Sequence, residues 1–174
     1  MRIAVENDPK VAAGGPARKA VLPFGTPRER LGNRFVYAVV SSRARGLSVG
    51  VNLNPDGRCN FDCVYCEVNR KTPASDCVLD VAVMATELEQ TLARIHEGPW
   101  RGPGDWRRAP TELLQLRHVA LSGDGEPTLC PRFAEVVESI IHLRARGHFP
   151  FFKLVLITNA TGLDLPGVQA GLKL

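Results

Sequence analysis

From Leu47 to Leu53 the chain alternates between apolar residues (Leu47, Val49, Val51, Leu53) and small or polar ones (Ser48, Gly50, Asn52). A period of two predicts a β-strand with one buried face. It runs straight into Asn54-Pro55-Asp56-Gly57, a chain-turning sequence. Upstream, Phe35, Val36, Tyr37, Val39 and Val40 predict a strand over residues 34–42, one side of a hairpin. Downstream, Val81, Met84, Leu88, Leu92 and Ile95 recur at helical spacing, with Asp80 able to cap the start and Gly98 the end. His118 to Leu121 is a short apolar strand. A second helix follows Pro131, turning Phe133, Val136, Val137, Ile140 and Ile141 inward and stopping at Gly147. Lys153 to Thr158 is a further strand.

Strand, helix, strand, helix, strand predicts an α/β fold with a parallel sheet and right-handed crossovers. In such folds the loops at the C-terminal ends of the strands build the site. Residues 1–33, rich in Gly, Pro and Arg, form an extended lead-in, and residues 34–174 form the domain. Residues 98–110 break any regular pattern and predict a loop. Near the end, Asp164 and Pro166 mark a helix start, and Val168, Leu172 and Leu174 begin an apolar face. About two helical turns are marginal alone, so the sequence reads as a truncated one.

Composition places the chain among soluble globular domains: 174 residues, 44% hydrophobic and 23% charged. No apolar run reaches the roughly 18 residues of a membrane span, and the start Met1-Arg2-Ile3 leads into polar sequence rather than a signal-peptide core. The expected setting is cytoplasmic, without a membrane partner. Residues 1–50 carry nine Lys/Arg against three acids, which leaves the rest at −2 of the total +4. This basic lead-in is either a solvated tail or an attractor for RNA.

The five cysteines change the picture most. Cys59, Cys63 and Cys66 fall within eight residues at C-x3-C-x2-C spacing, with Cys77 and Cys130 apart. An odd, clustered set argues against a secreted disulfide scaffold and for metal ligation. Three thiolates from one loop can hold three irons of a cubane, leaving the fourth open to a chelating ligand, whereas a fully ligated cluster takes four. Zinc is the rival, and would need a fourth ligand such as Cys77 or a distant His.

The segment Cys59-Asn60-Phe61-Asp62-Cys63-Val64-Tyr65-Cys66 resembles the signature of the radical S-adenosylmethionine (SAM) superfamily. The resemblance implies that Cys59, Cys63 and Cys66 ligate a 4Fe–4S cluster and that Tyr65 lies beside the adenine of SAM. Reductive cleavage of SAM would then give methionine and a 5′-deoxyadenosyl radical that takes hydrogen from a substrate. Ser122-Gly123-Asp124-Gly125-Glu126-Pro127 resembles the family's Gly-Gly-Glu motif, with an Asp between the glycines. Gly123, Asp124, Gly125 and Glu126 would hold the SAM amine, which wants acceptors and close backbone approach, with Glu126 the favoured carboxylate. Thr158 and Asn159 match the family's Thr-Asn near SAM or substrate; they are equally ordinary turn formers.

The stretches FGTPRERLG, LSVGVNLNPDGRCNFDCVYC, SGDGEPTL and ITNAT, over about residues 24 to 174, are similar to the branch related to wyosine-base synthases, which act on tRNA. Members that make wyosine bases carry a second cluster on further N-terminal cysteines, and no cysteine precedes Cys59 here. The implied fold is a partial (β/α) barrel, with about three of six strand–helix units present. The implied partners are an unknown substrate, with RNA the candidate, and an electron donor such as flavodoxin or ferredoxin. The incomplete barrel implies weak SAM binding and little turnover by this chain alone. The competing class is a non-catalytic iron–sulfur or zinc-binding module. An electron-transfer ferredoxin would want four cysteines per cluster.

Overall fold

The computed structural model describes residues 28–41, 43–66, 68–69, 77–97 and 109–174. Most of the basic lead-in, the residue-98 helix stop and the loop to residue 108 lie outside them.

Strand β1 (Val36–Ser41) pairs antiparallel with β2 (Gly46–Asn52), giving the hairpin that the β-rich stretch predicts. All seven residues of β2 are buried. The reason lies in both faces. Val49 and Val51 enter the main core, while Tyr37 on β1 lies opposite Gly50, where a Cβ would stand 2.2 Å from the tyrosine ring. Only glycine lets that ring lie flat on the strand.

Helix α1 (Val81–His96) starts at Asp80, whose carboxylate accepts from the amides of Ala82 and Val83 at 2.9 and 3.1 Å. Its stripe of Met84, Leu88 and Leu92 is buried. Glu87 interrupts that stripe for a clear reason: its carboxylate accepts from the backbone amides of Arg34, Phe35 and Val36 at 2.8–3.2 Å. These donors lead into β1, and burying them unpaired would be costly.

Strand β3 (Leu116–Ser122) runs parallel to β2, and β4 (Lys153–Leu156) runs parallel to β3. Between them α2 (Phe133–Ala145) buries Phe133, Val136, Val137, Ile140 and Leu143. Gly147, at φ +70°, follows its end as expected. The last helix, α3 (Pro166–Leu172), begins at Pro166 as expected, without a side-chain cap, and it buries Val168 and Gly171. Leu172 and Leu174 stay exposed, so the apolar face expected there is narrower than its leucines suggest.

The sheet corrects the expectation of a partial (β/α) barrel. Among the described residues it is one small mixed sheet in the order β1-β2-β3-β4, with three α-helices. The alternation from β2 to β4 does give parallel strands, but β1 enters antiparallel, and the strands form an open row. Closing a barrel needs strand tilt and stagger that bring first and last strands together; this row has β1 at one end and β4 at the other. Among the described residues no helix is long and apolar enough to cross a membrane.

Candidate functional site

Three loops follow the C-terminal ends of β2, β3 and β4, and they meet. The loop after β2 carries the cysteine triplet. The loop after β3 carries Gly123 to Glu126, and the one after β4 carries Thr158 to Thr161.

Glu126 is the clasp between them. Its carboxylate is buried and accepts from the Thr128 amide (3.1 Å), the Thr128 hydroxyl (2.7 Å), the Thr158 hydroxyl and the Asn159 amide (2.8 Å). Its own amide donates to the Arg58 carbonyl at 2.9 Å, next to Cys59. Gly125 makes this approach possible, because a Cβ there would lie 1.8 Å from the Arg58 oxygen. Burial alone pushes the Glu126 carboxyl up, but the donors from Asn159, Thr158 and Thr128 outweigh it and hold the acid below its ordinary range.

A depressed folded pKa adds stability that is complete above the unfolded value of about 4.3 and is lost as pH falls below it. Acid unfolding of the wild type is therefore expected to steepen below about pH 4.3, and Glu126→Gln is expected to flatten that dependence. Thermal melts from pH 6 to pH 3 check it; parallel curves for both proteins would refute the assignment.

Asp124 is held from the other side. Arg28 Nη1 reaches its Oδ1 at 2.7 Å, Arg30 Nη2 its Oδ2 at 3.2 Å, and Asn52 Nδ2 its Oδ2 at 2.7 Å. The Asp124 amide returns a bond to Asn52 Oδ1 at 3.0 Å. Arg28 also stacks over Tyr37, 4.8 Å from the ring centre, and the Tyr37 hydroxyl pairs with Ser122 Oγ at 2.7 Å. Two arginines of the lead-in thus serve this carboxylate rather than standing free.

Cys59, Cys63 and Cys66 are all half-exposed, and none of them is in a disulfide. A turn closed by the Cys66 amide on the Cys63 carbonyl (2.9 Å) carries the last two. Tyr65 is 82% exposed, and its hydroxyl is raised above its ordinary pKa chiefly by its hydrogen bond and electrostatic interaction with Cys63. Phe61 and Val64 are exposed on the same loop. Among the described residues, no three His, Cys, Asp or Glu side chains are gathered as one metal ion would require. A tetrahedral zinc draws its ligands to within about 2.3 Å of a single point. A cubane asks less of the loop, since each thiolate goes to a different iron. The donor set of three cysteines in one eight-residue loop, none of them in a disulfide, fits a cluster chemically.

Cys77 lies 3.4 Å from Arg34 Nη2 and packs against the core. Cys130 is inside the core, where burial pushes its thiol up.

The sequence expectations missed Asn52, Asn54 and Asn60. The available signal was three asparagines within nine residues at a strand end. Asn52 and Asn54 are buried; Asn52 serves Asp124, whereas Asn54 Oδ1 is buried with no hydrogen-bond partner among the described residues, an exception to the rule that buried polar groups are paired.

Comparison with known proteins corrects the family expectation. The chain is 27% identical over 142 residues to a UPF0026 protein of Helicobacter pylori, covering 80% of this chain and 39% of that protein. It is 29% identical over 141 residues to one of Synechocystis sp., covering 80% and 44% respectively. A UPF0026 protein of Methanocaldococcus jannaschii is 26% identical over 112 residues, 61% of this chain and 29% of that protein. No family model and no solved structure matches. The relatives carry the UPF0026 name rather than that of the radical SAM superfamily or its wyosine-base branch, so the resemblance is not upheld as a family assignment. The chain spans about two-fifths of the length of the curated relatives from Helicobacter and Synechocystis. What the site does must therefore be argued from its own chemistry.

Proposed function

We propose that the triplet Cys59, Cys63 and Cys66 holds a 4Fe–4S cluster with one iron left to S-adenosylmethionine, and that the protein is an enzyme acting through reductive cleavage of that cofactor. The observation that carries it is the meeting of the thiol loop with two polar strand-end loops, clasped by Glu126. With both groups bound, the cluster would supply the electron for reductive cleavage of a sulfonium carbon–sulfur bond, the products being methionine and, once hydrogen is taken from substrate, 5′-deoxyadenosine.

The chain's own residues would bind and orient. Cys59, Cys63 and Cys66 supply the thiolates. Glu126, its carboxylate filled by four donors from this chain, acts as the clasp. Carbonyls of the Gly123–Gly125 stretch and the part-exposed Asp124 are the acceptors that an ammonium group would meet. Thr158 and Asn159 hold the Glu126 carboxylate, and the Tyr65 ring is exposed on the cysteine loop. The substrate is unassigned. RNA drawn by the basic lead-in stays a proposal, reduced by the engagement of Arg28 and Arg30 with Asp124. The electron would come from a small donor such as flavodoxin or ferredoxin, in a cytoplasmic setting.

Anaerobic reconstitution followed by reduction with SAM present is expected to release 5′-deoxyadenosine and methionine in equal amounts. Uptake of one tightly held zinc, or of a cluster that leaves SAM intact under reduction, would instead identify a non-catalytic metal-binding module.

A further inference from the structure

Residues 58 and 60 are each tied to a different strand-end loop, and Cys59 lies between them. On one side the Arg58 carbonyl accepts from the Glu126 amide at 2.9 Å. On the other, Asn60 Oδ1 accepts from Asn159 Nδ2 at 2.9 Å, and Asn60 Nδ2 donates to Thr161 Oγ1 at 2.8 Å. The Thr161 hydroxyl in turn donates to Asn159 Oδ1 at 2.7 Å. These three side chains form a closed cycle in which every group both donates and accepts, so each bond polarises the next. The cycle also fixes the orientation of both carboxamides. A second circuit closes through the backbone, because the Asn159 amide donates to Glu126, whose own amide holds Arg58. Ala160, between Asn159 and Thr161, adopts φ +70°, a left-handed conformation that costs a non-glycine residue about 1 kcal/mol. Strain of that kind persists only where surrounding bonds over-determine it.

Asn60 is exposed, and packing does not explain it. We propose that Asn60 is a positioning residue for Cys59: with Arg58 it pins the first thiol of the triplet against the β3 and β4 loops before any metal is bound, so that cluster loading starts from this sulfur. The use of that sulfur rests on the function proposed above, whereas the pinning does not.

The test separates the two. In the metal-free 174-residue chain, backbone order at Cys59 is measured by NMR relaxation for wild type, Asn60→Ala and Thr161→Val. An order parameter near the rigid value of about 0.85 in the wild type is expected to fall toward 0.6 or below in both variants, with the β-sheet amides unchanged. After anaerobic reconstitution, both variants are expected to lose iron to a chelator about tenfold faster, the scale of second-shell effects on metal sites. They should also show an altered electron paramagnetic resonance line shape of the reduced cluster. Unchanged order at Cys59 overturns the pinning. Lost order with wild-type iron retention and line shape overturns its role in loading. A wild type that takes no cluster defeats the cluster proposal and with it the role in loading, while the relaxation data still decide the pinning.

Discussion

Cys63→Ala is expected to leave the fold intact and to abolish both the cubane and SAM cleavage. Two remaining thiolates cannot hold three corners of the cluster, so iron after reconstitution should fall to background and 5′-deoxyadenosine to below about 1% of wild type. The fold should tolerate the change because Cys63 is half-exposed and outside the core. Its effect on stability should stay within about 0.5 kcal/mol, as for other surface sites. Cys77→Ala is the control: that thiol packs on the core and meets Arg34, and its loss should leave iron content unchanged. If Cys63→Ala keeps a full cluster, the ligand assignment is wrong.

Gly125→Ala is expected to do the opposite, damaging structure first. The added Cβ would sit 1.8 Å from the Arg58 oxygen, 2.6 Å from its carbonyl carbon and 2.8 Å from Asn54 Cβ. Two of those obstacles are backbone, so no rotamer change relieves them. Either the loop after β3 or the cysteine loop must move, and the Glu126-to-Arg58 bond breaks with it. A cost of about 3 kcal/mol follows, at the upper end for overpacking. For a chain of this size that lowers the melting temperature by about 6–12 °C. Iron retention should fall in parallel, since the displaced segment flanks Cys59. A variant that melts with the wild type would show that the close approach is absent.

Much of this was legible in the residues, for reasons that can be named. The strict alternation through Leu47–Leu53 marks a strand, and Asp80 ahead of an apolar stripe marks a helix start; both lie where expected, although the strand is buried on both faces rather than one. Local signals suffice when one side chain or one period decides the outcome. The sheet's form was not legible in that way. Alternation of strands and helices specifies parallel neighbours, but closure depends on tilt and stagger, which periodicity does not carry. The cysteine triplet and the two polar motifs announced themselves by composition. Their joining did not, because it depends on Glu126 reaching residues 158 and 159, a separation only the folded chain spans. Asn60 was hidden between two cysteines, where its cycle with Asn159 and Thr161 has no sequence pattern to mark it. Family resemblance drawn from short motifs overreached for the same reason: motifs report local chemistry, and the comparisons name the relatives differently.

Three thiolates should leave one iron of the cluster free for SAM. Mössbauer spectroscopy of wild-type protein reconstituted with Mössbauer-active iron, recorded with and without saturating SAM, tests it directly. The account predicts a cubane in which a single iron, and no other, changes its spectrum when SAM is added. Four irons that all ignore SAM, or a protein that takes zinc in place of a cubane, would contradict it.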